Sequence, residues 1–302
     1  MKASVIHQYG GPEVLKFEDY ADPAIGEGQV LIRVAAAGIN PVDLGRRSGT
    51  MKAFFPIDFP GIIGMDVAGT IAKLGPRIVG WTVGDKVFAF ADQTYAELCA
   101  VKASSLARVP DGMELQEAAA LPVAVTTGFQ LISEAIGIKA GQTVLVIGAA
   151  GNVGRSAVFA AKDRGATVIA AVRRNQLDAT TSLGADSAIA TDDDEAIARL
   201  PSLDAVADTV AGKTGERFMS KVKAGGVFVS TLVPPANAKE FPAVRVGRME
   251  SRPDAGVLLR MGQAVRNGKF TVPVSRKLPL KEAAAGHAAI ESGLGGKVLL
   301  TA

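Results

Sequence analysis

Hydrophobic residues along this chain fall into two textures. Up to about residue 122, short apolar runs at 4–6, 29–34, 67–71, 85–89 and 95–101 are separated by Gly- and Pro-rich stretches. That spacing predicts a mainly β region. From 142 to about 231 the runs alternate with helical patterns. Strands are predicted at 144–147, 167–172, 187–190, 203–207 and 226–230, with helices at 153–163, 175–183 and 194–200. This βαβ rhythm is that of a parallel, doubly wound sheet. Between the two textures, 123–136 reads as a helix passing through Thr126, Thr127 and Gly128. A further helix at 256–265 closes at Asn267-Gly268, and then the first texture returns. It comprises a short run at 272–274, a helix near 280–292 and a last strand at 297–300. The expected fold class is α/β: a mainly β domain from 1–122 plus 271–302, with a parallel-sheet domain, 123–270, inserted between.

Where the first strand of the second texture ends, the chain reads Gly148-Ala149-Ala150-Gly151-Asn152-Val153-Gly154. Glycines in a strand-to-helix turn let the backbone approach a phosphate, and free N–H groups at the helix start favour an anion. The G-x-x-G-x-x-G spacing is a relative of the dinucleotide fingerprint. With an apolar strand before it, a helix after it and a second strand following, a dinucleotide site outweighs a merely structural turn. That second strand ends in Arg173-Arg174, where NAD-specific folds place a carboxylate for the ribose hydroxyls. A guanidinium fork suits a 2′-phosphate, so NADP(H) is the expected cofactor. Which arginine faces the phosphate stays open. The loops after the fourth and fifth strands, Thr209-Val210 and Ser230-Thr231-Leu232, are expected to supply backbone contacts at the strands' carboxyl ends. The acids Asp192-Asp193-Asp194 follow the third strand. They are compatible with a bound phosphate only if they point away from it.

Composition narrows the function. The chain has 302 residues and a net charge of +3, from 33 basic and 30 acidic residues, without a basic block. Nucleic-acid binding therefore gets no support. A single cysteine, Cys99, excludes an internal disulfide, and its alternating surroundings predict core packing. The first residues lack the apolar region of a signal peptide, and no apolar run approaches the ~20 residues of a membrane span. A cytoplasmic protein with no membrane partner is expected. The three tyrosines, Tyr9, Tyr20 and Tyr95, are followed four residues on by Glu13, Ala24 and Cys99. The Tyr-x-x-x-Lys pair of short-chain dehydrogenases is thus missing.

Six segments in order carry a resemblance across nearly the whole chain. They are Ala37-Gly38-Ile39-Asn40-Pro41-Val42-Asp43, the run from Pro60 to Gly69, Gly84-Asp85-Lys86-Val87, Ala119-Ala120-Leu121-Pro122, the 148–154 turn, and Gly296-Lys297-Val298-Leu299-Leu300. Together they resemble the zinc-independent quinone oxidoreductase (zeta-crystallin-like) branch of the medium-chain dehydrogenase/reductase superfamily. The resemblance implies a GroES-like mainly β domain plus a Rossmann domain, with NADPH and substrate in the cleft between them, and a homodimer. Zinc-dependent relatives carry a cysteine in the early loop and a His-Glu pair after the position of Gly64; here Gly38-Ile39-Asn40 and Met65-Asp66 stand instead. With no metal site, the implied chemistry is hydride transfer to a quinone or an α,β-unsaturated ketone. Asn40 is carried over as a polar group beside the nicotinamide ribose or substrate oxygen, and Thr127 as the threonine near the nicotinamide. The plainer readings are a turn residue before Pro41 and a helix hydroxyl bonded to its own backbone. Asp43 belongs to the early-loop motif and is assigned to the substrate region. The acceptor-pocket tyrosines of some relatives are missing, so Phe54 and Phe55 either line that pocket or fill core. Two alternatives stay open: an NADPH-binding protein without significant turnover, and an enoyl-thioester reductase. The second lacks its expected proton-donating tyrosine and basic groove.

Overall fold

The computed structural model describes residues 1–302, the Thr181 side chain excepted. The chain divides into two compact units: Met1–Val123, Pro253–Gly268 and Val272–Ala302 form the first, and Ala124–Arg252 with Lys269–Thr271 the second.

The first unit is built on the 11-residue strand Gln29–Ile39. Its alternate residues Val30, Ile32 and Val34 enter one apolar cluster with Val67, Val87, Cys99 and Val101. The strand pairs antiparallel with Asp66–Leu74, Leu98–Lys102 and Lys297–Thr301, bending at bulges near Leu31/Ile32 and Val34/Ala36. The seven-stranded sheet is completed by Lys86–Phe90, Leu106–Arg108 and Val274–Pro279. A three-stranded sheet of Lys16–Asp19, Lys2–Ile6 and Gly61–Ile62 completes the β structure. Helix Ala255–Arg266 belongs to this unit, whereas the expected boundary had placed it in the 123–270 block. Its Gly262 packs against Phe88 and Pro110, and Arg266 Nε donates to the Asp111 carbonyl at 2.7 Å.

The second unit is a six-stranded parallel sheet in the order Ser187–Ala190, Thr167–Val172, Thr143–Ile147, Leu203–Asp208, Val222–Ser230, Arg245–Arg248. Numbered along the chain, this is the 3-2-1-4-5-6 order of a Rossmann fold. Both faces are buried, and the period of two shows it. Val144 and Val146 pack into one cluster with Leu131, Ile132, Ala157 and Val158, while Leu145 and Ile147 pack into another with Ile197, Phe218 and Met219. The expected α/β class, GroES-like plus Rossmann, is the one observed.

Three local expectations change. The predicted helix 175–183 is two 3₁₀ stretches, Arg174–Gln176 and Asp178–Leu183. Hydroxyls there bond the chain locally, Thr180 Oγ1 to the Leu177 carbonyl and Ser182 Oγ to that of Ala179, and compete with a regular helix. The predicted helix 123–136 is α-helical only over Pro122–Gln130 and widens to a π-helix over Leu131–Ile136. Finally, Leu115–Ile136 is a 22-residue helical stretch long and apolar enough to cross a membrane by length and composition, which corrects the expectation that no run approaches that length. Most of the stretch is buried within the protein, which accounts for its apolar character.

Candidate functional site

In the second unit, Thr143–Ile147 ends at Gly148, whose φ of +77° is left-handed. A Cβ at this position would stand 2.5 Å from Thr209 Oγ1. The turn is closed by Gly151 N–H donating to the Gly148 carbonyl at 2.9 Å, and helix Asn152–Asp163 follows at once. Gly154 lies one turn into that helix, and a Cβ there would meet the Gly148 carbonyl oxygen at 2.1 Å. Ala149 packs inward, Ala150 and Val153 are half-buried, and the Asn152 Oδ1 is buried with no partner among the described residues. The sequence therefore folds into a bare-backbone cradle with the N–H groups of a 12-residue helix aimed at it.

A cavity of about 410 Å³ opens over this cradle, walled by Gly148, Gly151, Arg173, Gln176, Thr191, Thr209 and Val210. The two arginines separate here. Arg173 lines the cavity, its Nε donating to Gln176 Oε1 at 3.3 Å. Arg174 pairs with Asp192 at 3.4 Å and Asp193 at 3.7 Å. Asp193 also accepts the Ala196 N–H, and that bond is the main reason its carboxyl is held below the usual range. Asp194 pairs with Arg217 at 2.5 Å. The acidic run after the third strand is thus spent on Arg174, Arg217 and a helix cap.

Thr209 Oγ1 donates to the Ile147 carbonyl at 2.8 Å, which pins the wall of the cavity to the strand beneath it. Asp208, fully buried, accepts the Val210 and Ala211 N–H groups at 2.9 Å each, and burial pushes its carboxyl pKa up. Ser230, Thr231 and Leu232 lie at the end of the next strand, outside the cavity lining: Ser230 Oγ accepts the Leu232 N–H, and Thr231 N–H donates to the Asp208 carbonyl. Thr127 sits in the helix whose Gly128 packs on the Val153 carbonyl, Ser156 and Ala157 of the cradle's helix. Its hydroxyl is buried and has no partner among the described residues, so it is not bonded to its own helix.

In the first unit, Asn40 caps helix Pro41–Ser48 and is 4% exposed. Its backbone N–H donates to Asp43 Oδ2 at 2.8 Å. Its carboxamide joins two groups that sequence reasoning missed: Nδ2 donates to Asp66 Oδ2 at 2.9 Å, and Lys297 Nζ donates to Oδ1 at 2.5 Å. Lys297 also pairs with Asp66 Oδ2 at 2.5 Å, and both side chains are essentially inaccessible to solvent. The available signal was a lysine heading an otherwise apolar strand. Asp43 is fully buried, so it faces other protein groups and not a substrate region: it also accepts the Tyr95 hydroxyl at 3.1 Å. Tyr95 contacts His287 Nε2 at 3.2 Å, whose Nδ1 lies 3.3 Å from Arg47, and Arg47 pairs with Glu291. Phe54 is 57% exposed and fills no core, while Phe55 lies half-buried beneath the Arg46 guanidinium, 5.8 Å from its ring centroid. Among the described residues, no three His, Cys, Asp or Glu side chains come together as metal ligands.

Comparison with known proteins agrees with this architecture. A family model described as the alcohol dehydrogenase GroES-like domain matches residues 26–122, and one described as zinc-binding dehydrogenase matches 183–300. The chain is similar to a 2-methylene-furan-3-one reductase of Solanum lycopersicum, 36% identical over 251 residues, 78% of this chain and 64% of that protein. It is also similar to a chloroplastic NADPH-dependent alkenal/one oxidoreductase of Arabidopsis thaliana, 38% identical over 202 residues, 63% of this chain and 52% of that protein. The matches therefore span about half to two thirds of the length of these curated relatives. Among solved structures, the quinone oxidoreductase from Coxiella burnetii superposes with a TM-score of 0.89 at 29% identity, covering 100% of this chain and 99% of that one. Both family models in chain order, on a fold shared end to end with a solved quinone oxidoreductase, show that the chain belongs to the medium-chain dehydrogenase/reductase superfamily.

Proposed function

We propose that the chain is an NADPH-dependent, zinc-independent oxidoreductase that passes hydride to a quinone or an α,β-unsaturated carbonyl. The observation that carries this reading is the cavity over the glycine cradle, walled by an Arg173 that has no carboxylate partner among the described residues. A dinucleotide fits the residues present. At Gly148 and Gly154 a side chain would collide with the turn, so the backbone stays open to a pyrophosphate. Arg173 supplies a guanidinium for the 2′-phosphate, while Arg174 is held by Asp192 and Asp193. Zinc does not fit, because its three or four Cys, His or carboxylate ligands are not assembled anywhere among the described residues. The relatives' names, a furan-3-one reductase, an alkenal/one oxidoreductase and a quinone oxidoreductase, support an already electrophilic acceptor.

The bound cofactor supplies hydride. The chain's own residues hold it, with Thr209 and Val210 in the wall of its cavity; hydrogen-bonding the oxygen that gains charge is the task of Asn40, and Thr127 is assigned to the nicotinamide. The proton that completes the enol or quinol comes from water. A homodimer belongs to the same reading, and light scattering on the purified chain checks it.

The test is steady-state oxidation of NADPH and of NADH, with a small quinone and a simple enone as acceptors. Arg173→Ala should raise the KM for NADPH by about 10-fold or more, the worth of one charge-assisted contact, and leave NADH almost unchanged. Arg174→Ala should change either by no more than about 2-fold, since its charge is already paired. An NADH preference in the wild type sinks the phosphate assignment. Tight NADPH binding with no oxidation by any acceptor shows a binding protein instead.

A further inference from the structure

We propose that Lys297 and Asp66 are positioning residues for the reaction: together they lock the Asn40 carboxamide so that it can act only as a hydrogen-bond donor toward the acceptor oxygen. This rests on the reductase reading above and assigns roles to two residues which that reading leaves without one.

What each group can donate or accept fixes the orientation of the amide. A lysine ammonium only donates and a carboxylate only accepts. Lys297 Nζ lies 2.5 Å from one end of the Asn40 amide and Asp66 Oδ2 lies 2.9 Å from the other. The first end must therefore be oxygen and the second nitrogen, so the orientation of the amide is decided by its partners. Nδ2 carries two hydrogens, and Asp66 takes one. The other has no acceptor among the described residues. The Asn40 backbone N–H is occupied by Asp43, which leaves that amide hydrogen as the group the residue can offer.

The pair is built for this at some cost. An ion pair buried this completely adds little to stability compared with apolar side chains of the same shape. Room for it is made on purpose: a Cβ at Gly38 would stand 2.7 Å from both Asp66 Oδ2 and Lys297 Cε, and 2.5 Å from the Ala119 carbonyl oxygen. Asp66 Oδ1 is held independently by the Val123 N–H at 2.6 Å, so the carboxylate cannot swing to release Asn40. The ammonium on Oδ1 also draws electron density out of the amide and strengthens its remaining N–H as a donor.

The chemistry calls for such a donor. When hydride adds to the β-carbon of an enone, the C=C pair moves to form the enolate and negative charge arrives on the carbonyl oxygen. The free N–H of Asn40 stabilises that charge until water delivers the proton. An amide turned the other way would present its oxygen and repel it.

Lys297→Met alone would strand the Asp66 charge and risks unfolding the unit, so the test uses Asp66→Asn with Lys297→Met. In this double variant the new amide at 66 keeps the Val123 N–H on its oxygen and turns its NH2 toward Asn40, which inverts the Asn40 carboxamide. The expected result is a folded protein whose NADPH Kd stays within about 2-fold while kcat/KM for the acceptor falls about 100-fold, the loss of one transition-state donor. In an Asn40→Ala background the same double substitution should cost nothing more, because its effect passes through Asn40. Unchanged turnover in the folded double variant, or losses that simply add to that of Asn40→Ala, overturns the proposal. A readout without turnover keeps this separate from the reductase reading: the side-chain 15N resonances and hydrogen exchange of Asn40 should change sharply between wild type and double variant. If they do not change, the lock is absent. If they change while the wild type reduces no acceptor, the lock stands and the reductase reading falls.

Discussion

At the scale of single residues, the three glycines of the cradle are not equivalent. Gly154 has no room for a methyl group, because its Cβ would lie 2.1 Å from a backbone carbonyl oxygen that the turn holds in place. Gly148 combines a left-handed φ of +77° with a 2.5 Å approach to Thr209 Oγ1, which itself is bonded to the Ile147 carbonyl. Gly151 has φ of −74° and its nearest atom is 3.2 Å away. Substitution by alanine should therefore destabilise in the order Gly154, Gly148, Gly151. The first two should each cost about 2 kcal/mol or more, from clash and from about 1–2 kcal/mol of backbone strain at Gly148, against under ~1 kcal/mol at Gly151. Urea denaturation of the three variants checks the order. A Gly151→Ala as damaging as Gly154→Ala would show that the turn is not held as described.

At the scale of elements, helix Ala255–Arg266 offers a clean case. Asp254 Oδ1 accepts the Val257 N–H at 2.9 Å, and the buried face runs through Val257, Leu258, Met261 and Ala264. Asp254→Ala should cost about 1 kcal/mol, and Asp254→Ser should recover most of it, both read from denaturation midpoints. The strands of the parallel sheet were legible from sequence wherever a β-branched run was bounded by turn residues: Thr167–Val172 and Ser187–Ala190 appear as expected, residue for residue. Arg245–Arg248 was invisible because a short, half-exposed edge strand carries no apolar run. Gln29–Ile39 was read only as far as 34, since Ala35-Ala36-Ala37-Gly38 lacks strand-forming side chains and is held by the two strands on either side of it, Asp66–Leu74 and Lys297–Thr301. Helix Pro41–Ser48 was read as a loop, because Asn-Pro marks a turn as readily as it marks a helix cap followed by proline at the first position.

At the scale of the whole molecule, the parts of the site that are local in sequence were readable and the parts that depend on folding were not. The glycines lie within seven residues, so their chemistry is visible in a line of text. The choice between Arg173 and Arg174 depends on which of them the acids of the next loop reach, and Lys297 meets Asn40 across 257 residues. The buried set around Asp43 and His287 is similarly non-local, and it makes a prediction about pH. Burial raises the Asp43 carboxyl to about 7 from its ordinary 3.8, despite the Asn40 N–H favouring its charged form. Its contribution to stability is therefore complete below pH 3.8 and lost as pH rises through 7. Burial, helped by the neighbouring Arg47 charge, lowers His287 to about 3 from 6.5, so its contribution is complete above pH 6.5 and lost as pH falls through 3. Neutral His287 fits its partners: Arg47 donates to Nδ1, Nε2–H donates to the Tyr95 oxygen, and the Tyr95 hydroxyl donates to Asp43. Between 3.8 and 6.5 the folded protein holds a proton on Asp43 while the unfolded chain holds one on the histidine. The two slopes cancel, and stability owes no pH dependence to this pair there. His287→Gln keeps an acceptor for Arg47 and a donor for Tyr95 but removes the histidine's half of the balance. The variant should lose stability with rising pH, relative to wild type, at about 1.4 kcal/mol per unit across that window. Urea titrations of both proteins at about pH 4.5 and pH 6 decide it: parallel slopes would mean that His287 is not held neutral in the folded state, whereas a flat variant beside a wild type that gains stability with pH would mean that Asp43 is ionised there, its burial offset by the Asn40 and Tyr95 donors and not by a proton.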